Sequence, residues 1–144
     1  MSRSGALDRI DALLGTVTDP QFTAVIRGEP LSISGTPVVA FWLTNRRTVQ
    51  MTLANASSEV DFLIRCFFRM QSSQDVRESL ELDMWNAMAN IETAFRSDTD
   101  LAGNVSDASF GDMTTAYLEV SGTVYRVVDI PYSVEILGET TITP

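Results

Sequence analysis

The sequence contains no histidine and no lysine, and Cys66 is its single cysteine. Without histidine there is no Ser-His-Asp or Cys-His catalytic couple and no conventional zinc site, and one cysteine cannot form an intrachain disulfide. The longest apolar run, Val38 to Leu43, has six residues, whereas a membrane-spanning helix needs about 20. The first residues also lack the apolar core of a signal peptide. These absences count against most enzyme classes, and we expect a protein made in a cytoplasm that uses no cofactor or metal and enters no membrane.

The charge and the length of the chain further limit the functions and the number of domains that we expect. All ten basic residues are arginine and form no basic run, whereas 19 residues are acidic and the net charge is −9. Binding to phosphates needs clustered lysine or arginine, so this composition is typical of a poor nucleic-acid binder. A length of 144 residues with 44% hydrophobic residues is typical of one globular domain. The sequence predicts a single domain over residues 1–144, with residues 137–144 as a flexible tail.

Two segments have the apolar spacing of helices. The first is a short helix with Ser4 as its N-cap and Gly15 as its stop. The second follows the capping residues 72–75 and ends near Arg96. Its apolar stripe consists of Val76, Leu80, Met84, Ala87, Met88, Ile91 and Phe95. Trp85 lies beside this stripe and is predicted to cover its rim.

Strand-like segments fill the chain between the two helices. Two short pieces, Phe22–Arg27 and Leu31–Ser34, are separated by turn residues. A hairpin is then predicted from Val38–Leu43 and Val49–Leu53, which flank the polar loop 44–48.

A long strand follows this hairpin. Its residues alternate between two faces, and the wholly apolar set is Val60, Phe62, Ile64, Cys66, Phe68 and Met70. We expect this set to face a core. Leu63 and Phe67 belong to the other set, so the opposite face of the strand is not expected to be fully exposed.

The remaining residues complete a fold of mixed type. Residues 97–114 are polar and are predicted to form a long loop. A second hairpin follows about Ser121-Gly122, where glycine suits a two-residue turn. Pro131 has no amide donor, which predicts that the last strand is an edge strand or has a bulge there. The predicted fold class is α+β: a mostly antiparallel sheet with hairpins, packed against a short N-terminal helix and one long helix.

Three features invite a chemical interpretation. The loop from Asp98 to Gly103 begins like an EF-hand, but Ser109 occupies the position of the bidentate glutamate, so we predict a turn after a helix instead of a calcium site. Cys66 belongs to an apolar strand face, which favours a buried, inert thiol over a nucleophile. The acidic residues offer carboxylate pairs for acid–base catalysis, but their spacing selects none of them.

The sequence also has more apolar side chains than one face of a small sheet would bury. Those opposite or beside the predicted core are Phe41, Trp42, Leu63, Phe67, Trp85, Tyr117 and Tyr125. Either helices cover both faces of the sheet within one protomer, or another chain covers part of this surface. Arg46 and Arg47, at the predicted hairpin tip, are either solvated turn residues or contacts to an acidic group, which an identical subunit could supply.

Several segments, taken in order, carry a resemblance to a known family. They are Leu7-Asp8-Arg9-Ile10, Arg27-Gly28-Glu29-Pro30 through Gly35-Thr36-Pro37-Val38, Leu101-Ala102-Gly103-Asn104-Val105 and Tyr125-Arg126-Val127-Val128. The long strand that leads into the capped helix Asp75–Phe95 also contributes. Over about Asp8 to Ile136, this order of elements and turn residues resembles the tail terminator proteins of long-tailed bacteriophages.

The resemblance implies a virion protein, assembled in the host cytoplasm, whose protomers form a ring, usually a hexamer, on the head-proximal end of the tail tube. Such a ring stops tube polymerisation and provides the docking surface for the head connector. The implied partners are the protein itself, the tail tube protein and the head-to-tail connector protein. DNA passes through the lumen without specific binding, which suits the negative net charge. We predict that the subunit or tube interface includes Phe41, Trp42, Arg46, Arg47 and Trp85.

Two other functional classes stay open. A head-to-tail connector or stopper of the neck would bind the portal-side ring instead of the tube. An enzyme that uses carboxylates alone would be a monomer or dimer with a deep acidic pocket.

Overall fold

Six strands and two helices make up the described part of the chain. This computed structural model describes residues 2–51, 56–70 and 74–137. The elements are α1 (Arg3–Gly15), β1 (Ala24–Arg27), β2 (Val38–Met51), β3 (Ala56–Arg69), α2 (Gln74–Arg96), β4 (Asp107–Phe110), β5 (Thr114–Val120) and β6 (Thr123–Leu137). The predicted α+β fold class is therefore confirmed. The predicted tail beyond Leu137 and the predicted cap residues Ser72 and Ser73 lie outside the described residues.

The strands form one sheet in the order β1-β2-β3-β6-β4, and β5 also pairs with β6. Among the described strands, β1 and β2 form a parallel pair and the other pairs are antiparallel. The predicted turn Ser121-Gly122 joins β5 to β6, and both residues have positive φ angles, 50° and 81°. This conformation is that of a tight two-residue hairpin turn, which favours glycine.

Both helices lie on one face of the sheet. Ser2 caps α1, since its hydroxyl accepts a hydrogen bond from the Gly5 amide at 3.0 Å. The predicted cap at Ser4 is therefore wrong by two residues, whereas the predicted end at Gly15 is confirmed. Arg27 on β1 donates to Asp11 at 2.8 Å and forms an ion pair with Asp8, which fixes α1 over the sheet.

The larger core lies between the helices and the face of the sheet that bears Ile64, which we call the helix face. The side chains that α2 buries there are Leu80, Met84, Ala87, Ile91 and Phe95. The predicted apolar set of β3 is buried on this face from Val60 to Phe68. On β6 the alternation is equally regular, with Val128, Ile130, Tyr132, Val134 and Ile136 buried.

A smaller core lies on the opposite face of the sheet. Its buried residues are Ala40, Phe67, Tyr125 and Val127. Ile33, from the loop between β1 and β2, packs against them. The predicted partial cover of this face is confirmed, but a loop supplies it. The alternative of helices on both faces is wrong.

The predicted first hairpin is wrong, because β2 runs without interruption through residues 44–48 and pairs with β3 along its length. The register shifts between Leu43 and Asn45 and between Thr48 and Gln50, as at β-bulges. The polar residues 44–48 belong to a solvent-exposed stretch of this long strand. They pair with residues of β3 and do not form the predicted turn. Arg46 and Arg47 therefore lie within a strand and not at a hairpin tip.

Three smaller predictions are also wrong. Residues 31–34 form no strand, and β4 lies within the predicted loop 97–114. Pro131 lies in β6, which is an interior strand of the sheet. It is paired in register with Leu63 on β3, and the pairing of β6 with β3 has no bulge there. Its carbonyl accepts a hydrogen bond from the Gly111 amide at 2.9 Å. The missing amide of Pro131 points to the same side, into the gap between β4 and β5, so no ladder bond is lost.

Candidate functional site

The residues predicted to form an interface do not share one surface. Phe41 is buried in the helix-face core, with 1% of its surface exposed, so its side chain is not available to a partner. Trp42 is half-buried on the opposite face, and the guanidinium of Arg65 lies 5.4 Å from its ring centroid. Arg65 also donates to both carboxylate oxygens of Asp129, at 2.6 and 3.0 Å. Trp42 is therefore held by a network within its own chain.

Arg46 and Arg47 point to opposite faces of the sheet. Arg46 is paired in register with Val60, and its guanidinium donates to the Ser58 hydroxyl at 2.9 Å. Arg47 donates to Glu59 at 2.8 Å, and this hydrogen bond raises the pKa of Arg47. The acidic partner of Arg47 thus belongs to the same protomer. Arg46 instead lines an apolar groove on the helix face.

This apolar groove has a volume of about 180 Å³. It lies between the start of α1 and three long strands, at the middle of β2, the start of β3 and the end of β6. Its apolar lining includes Ala6, Leu7, Leu43, Val60, Phe62 and Ile136. Arg3 and Arg46 are its two polar lining residues, and both are exposed. Leu43 is 57% exposed beside the groove. The groove can therefore accept an apolar side chain that has a carboxylate nearby.

A row of carboxylates crosses the opposite face of the sheet. Glu135 on β6 is paired in register with Glu59 on β3 and with Asp107 on β4. These three residues line a shallow groove of about 210 Å³. Among the described residues, no cluster of three or more acidic or cysteine side chains is arranged to hold a metal ion. We call Glu59, Glu135 and Asp107 the acidic row.

Other large apolar side chains are exposed on separate elements. Trp85 and Leu82 lie one turn apart on α2 and are 73% and 57% exposed, so Trp85 does not cover the rim of the buried stripe. Leu31, in the loop between β1 and β2, is 90% exposed. Tyr117 on β5 is exposed, and the guanidinium of Arg126 lies 4.7 Å from its ring centroid.

The residues with possible chemical roles are engaged in the fold. Cys66 is fully buried, and burial raises the pKa of its thiol, in agreement with an inert thiol. Asp98 forms an ion pair with Arg9 and accepts a hydrogen bond from the Ala102 amide at 2.8 Å. The following turn has positive φ angles at residues 101–103. The predicted turn after a helix is therefore present, and Asp98 joins that turn to α1.

Sequence reasoning missed the apolar groove and the acidic row. The register of β3 and β6 contributes to both, but α1 and β2 also line the groove and β4 supplies Asp107 to the acidic row. Within single strands, the alternation of apolar and polar residues was the available signal. Within the described residues no helix is both long and apolar enough to span a bilayer. No protein-family model and no curated protein sequence matches this chain.

Proposed function

We propose that this chain is a structural subunit of a phage virion and forms a ring, usually a hexamer in the class it resembles, at the head-proximal end of the tail tube. The ring would end tube polymerisation and provide the docking surface for the head-to-tail connector protein. The chain itself would catalyse no reaction. The order of elements between Asp8 and Ile136 supports this class by resemblance.

The observation that carries the proposal is that one small protomer exposes apolar surfaces on several separate elements. These are the groove beside α1, Leu82 with Trp85 on α2, and Leu31 in the β1–β2 loop. Contiguous apolar surface, as in the groove and in the pair on α2, marks an interaction site more often than single scattered side chains do. A ring subunit needs complementary surfaces for two neighbours, and a terminator needs further surfaces for the tube and the connector.

The acidic row offers a lining for a channel that carries DNA. If Glu59, Glu135 and Asp107 face the lumen, their repulsion of phosphates keeps DNA from adhering to the wall. Phage that carry arginine at all three positions should eject DNA more slowly, provided that the ring still assembles. Unchanged ejection would count against a lumenal position for this face.

Interrupting the reading frame in the phage genome that encodes the chain tests the role directly. A missing terminator gives tails of uncontrolled length, which electron micrographs of lysates would reveal. A missing connector or stopper, the alternative role in the neck, leaves tails of normal length and heads that leak DNA. Tails and heads that are both normal would contradict both roles.

A double variant with Arg46→Glu and Arg47→Glu tests whether the distal half of β2 takes part in assembly. We expect weakened ring formation, because Arg46 lies at the groove and Arg47 holds Glu59 on the other face. Arg96→Glu serves as a control, since Arg96 lies on α2 and pairs with Glu92 in the same helix. Normal assembly of the double variant would argue against the involvement of β2.

The carboxylate enzyme class predicts a different solution state. Native mass spectrometry of the purified protein, with and without the tail tube protein, separates a ring from a monomer or dimer. A monomer under both conditions would contradict the assembly roles and favour the enzyme class, for which the acidic row supplies the candidate carboxylates.

A further inference from the structure

We infer that the apolar groove binds Leu31 of a second copy of this chain, so that successive copies join head to tail. This inference rests on the proposed ring and names the two surfaces that meet between neighbouring subunits. The groove is the receiving surface, and the β1–β2 loop of the next copy is the inserted surface.

Leu31 has the properties of an inserted anchor. At 90%, its exposed fraction is the highest among the large apolar residues of the described chain. Its carbonyl accepts a hydrogen bond from the Ser121 hydroxyl at 2.8 Å, which holds the backbone beside the β5–β6 turn. Pro30 precedes Leu31 and further restricts the loop. A side chain presented on a fixed backbone loses little additional entropy when it binds.

The groove matches a single branched aliphatic side chain. Its walls are apolar side chains of α1, β2, β3 and β6, and it encloses about 180 Å³. Leu43 at its edge is 57% exposed, so binding of Leu31 would remove apolar surface of both copies from water.

The charges beside the two surfaces are complementary. Glu29 is exposed and precedes Leu31 by two residues. Arg3 and Arg46 are the polar residues that line the groove. In this contact the Glu29 carboxylate would lie near two guanidinium groups, of which Arg46 also donates to Ser58, and this charge complementarity would favour one orientation. Such pairing also offsets the general repulsion between two chains of net charge −9.

A protomer cannot place Leu31 in its own groove. The loop lies against the opposite face of the sheet, where Ile33 packs, whereas the groove lies on the helix face beside α1. The two sites are also at opposite ends of β6, because Thr123 follows the turn that contacts Leu31 and Val134 lines the groove. That stretch of strand spans roughly 35 Å. The contact is therefore heterologous and generates a closed ring or an open chain of subunits.

Leu82 and Trp85 are less suited to this groove. Both lie on α2, so insertion of either would bring a whole helix against the groove. Glu81 and Asp83 flank Leu82 in this helix. We therefore assign Leu82 and Trp85 to contact with the tail tube or with the connector protein. This pair also provides a control, since Leu82 and Leu43 are equally exposed at 57%.

Cross-linking of variants that each carry one added cysteine tests the contact. We would mix Leu31→Cys with Leu43→Cys, oxidise the mixture, alkylate the remaining thiols and separate the products without reductant. Cys66 can be kept because it is fully buried. We expect a disulfide-linked dimer from the mixture and none from either variant alone. A mixture of Leu82→Cys with Leu43→Cys is the matched control and should give no dimer.

Other cross-linking patterns would overturn the inference. One is a dimer from Leu31→Cys alone, which would mean a symmetric contact. Another is a disulfide within one chain between Leu43→Cys and Ile142→Cys, which would mean that the chain's own C-terminal residues fill the groove. Absence of any dimer under conditions where the native protein is oligomeric would overturn it as well.

Affinity measurements provide a second, independent test. Leu31→Asp should weaken self-association at least 30-fold, because an apolar anchor is lost and a charge takes its place, whereas Leu82→Asp should leave it unchanged. Glu29→Arg and Arg3→Glu should each weaken association, and the two variants mixed together should recover part of the loss. Equal effects of Leu31→Asp and Leu82→Asp would contradict the assigned contact.

The inference and the proposed function fail in distinguishable ways. If rings form and cap tubes while Leu31 and Leu43 do not cross-link, the contact is wrong and the proposed function stands. If the cross-link forms but the product is an open chain that never limits tail length, the contact is right and the terminator role is wrong.

Discussion

Single residues in this chain show how burial decides the state of a polar group. The Tyr132 hydroxyl is buried and has no hydrogen-bond partner among the described residues. Burial raises the pKa of Tyr132, and the charges of Asp98 and Asp107 act in the same direction. The ring itself packs well, with its centroid 4.9 Å from that of Phe95 and 5.0 Å from that of Phe110. The aromatic contacts therefore stabilise this site, and the hydroxyl does not.

Tyr132→Phe should leave the free energy of unfolding unchanged or raise it by about 1 kcal/mol, because the substitution removes an unsatisfied group and keeps the ring. Tyr132→Ala should lower it by about 3–5 kcal/mol, since the ring contacts are lost and a cavity remains. Urea denaturation followed by circular dichroism measures both changes. A loss above 1 kcal/mol in Tyr132→Phe would mean that the hydroxyl has a partner.

Asp98 is the residue through which pH should act most clearly. Partial burial alone would raise its pKa, but the Ala102 amide and Arg9 outweigh burial, and the net pKa lies below the ordinary value of 3.8. A carboxylate with a lowered pKa stabilises the fold above its ordinary pKa, and this contribution is lost as the pH falls through the folded-state value. The ion pair between α1 and the turn after α2 should therefore weaken only in acid.

Asp98→Asn should lower the free energy of unfolding by about 1 kcal/mol at pH 7, because the amide cannot pair with Arg9 as an ion. The difference from the unsubstituted protein should shrink below about pH 4, where the unfolded-state carboxyl becomes protonated. Asp112→Asn, on an exposed loop residue, is the control and should show neither effect. A difference that stays constant between pH 7 and pH 3 would contradict this account of Asp98.

At the scale of helices and strands, apolar periodicity predicted an element most accurately where one of its faces is buried. The alternation in β3 and β6 and the stripe of α2 from Leu80 to Phe95 were predicted correctly, because burial imposes those periods. The side chain of Val76, the first residue of the predicted stripe, lies outside the described part of the chain. The path of β2 was not predicted correctly, because residues 44–48 are a polar stretch of hairpin-loop length. Their strand conformation depends on partners on β3 such as Glu59 and Ser58. The short strand β4 was missed for a similar reason, since its pairing with β6 is a property of the sheet.

The acidic row makes a testable prediction about β6. Glu135 has carboxylates directly opposite on both neighbouring strands, Glu59 and Asp107, and like charges in that arrangement are destabilising. Glu135→Gln should raise the free energy of unfolding by about 0.5 kcal/mol, and the gain should diminish at high salt because screening already weakens the repulsion. Thermal unfolding at low and high salt measures both.

Glu119→Gln is the matched control for Glu135→Gln. Glu119 is exposed on β5 and is paired with Val124, so no opposite carboxylate is relieved and the stability should not change. An equal gain in both variants would attribute the effect to net charge and not to the row.

At the scale of the whole molecule, the sequence predicted the fold class better than the surfaces. Five of the seven apolar residues that pointed to a partner are at least half-buried in the protomer: Phe41, Phe67 and Tyr125 are buried, Trp42 packs on the second core, and Leu63 is half-buried. The helices cover Phe41, whereas Ile33 of the β1–β2 loop packs on the second core, and no local pattern reveals that position of the loop. What stays exposed is distributed over separate elements, as a subunit with several neighbours requires.

The exposed pair on α2 gives the last prediction. A double variant with Leu82→Ser and Trp85→Ser should change the free energy of unfolding by no more than about 0.5 kcal/mol, because both side chains already lie mostly in water. If this pair docks the tube or the connector, phage with the variant should assemble rings but produce tails of uncontrolled length or heads that fail to join. Val124→Ser, at an apolar residue of β6 that is 45% exposed, should leave assembly normal. Normal virions from the double variant would place docking elsewhere on the ring, and the pattern of failure in defective virions would distinguish the terminator from the connector, because only loss of the terminator alters tail length.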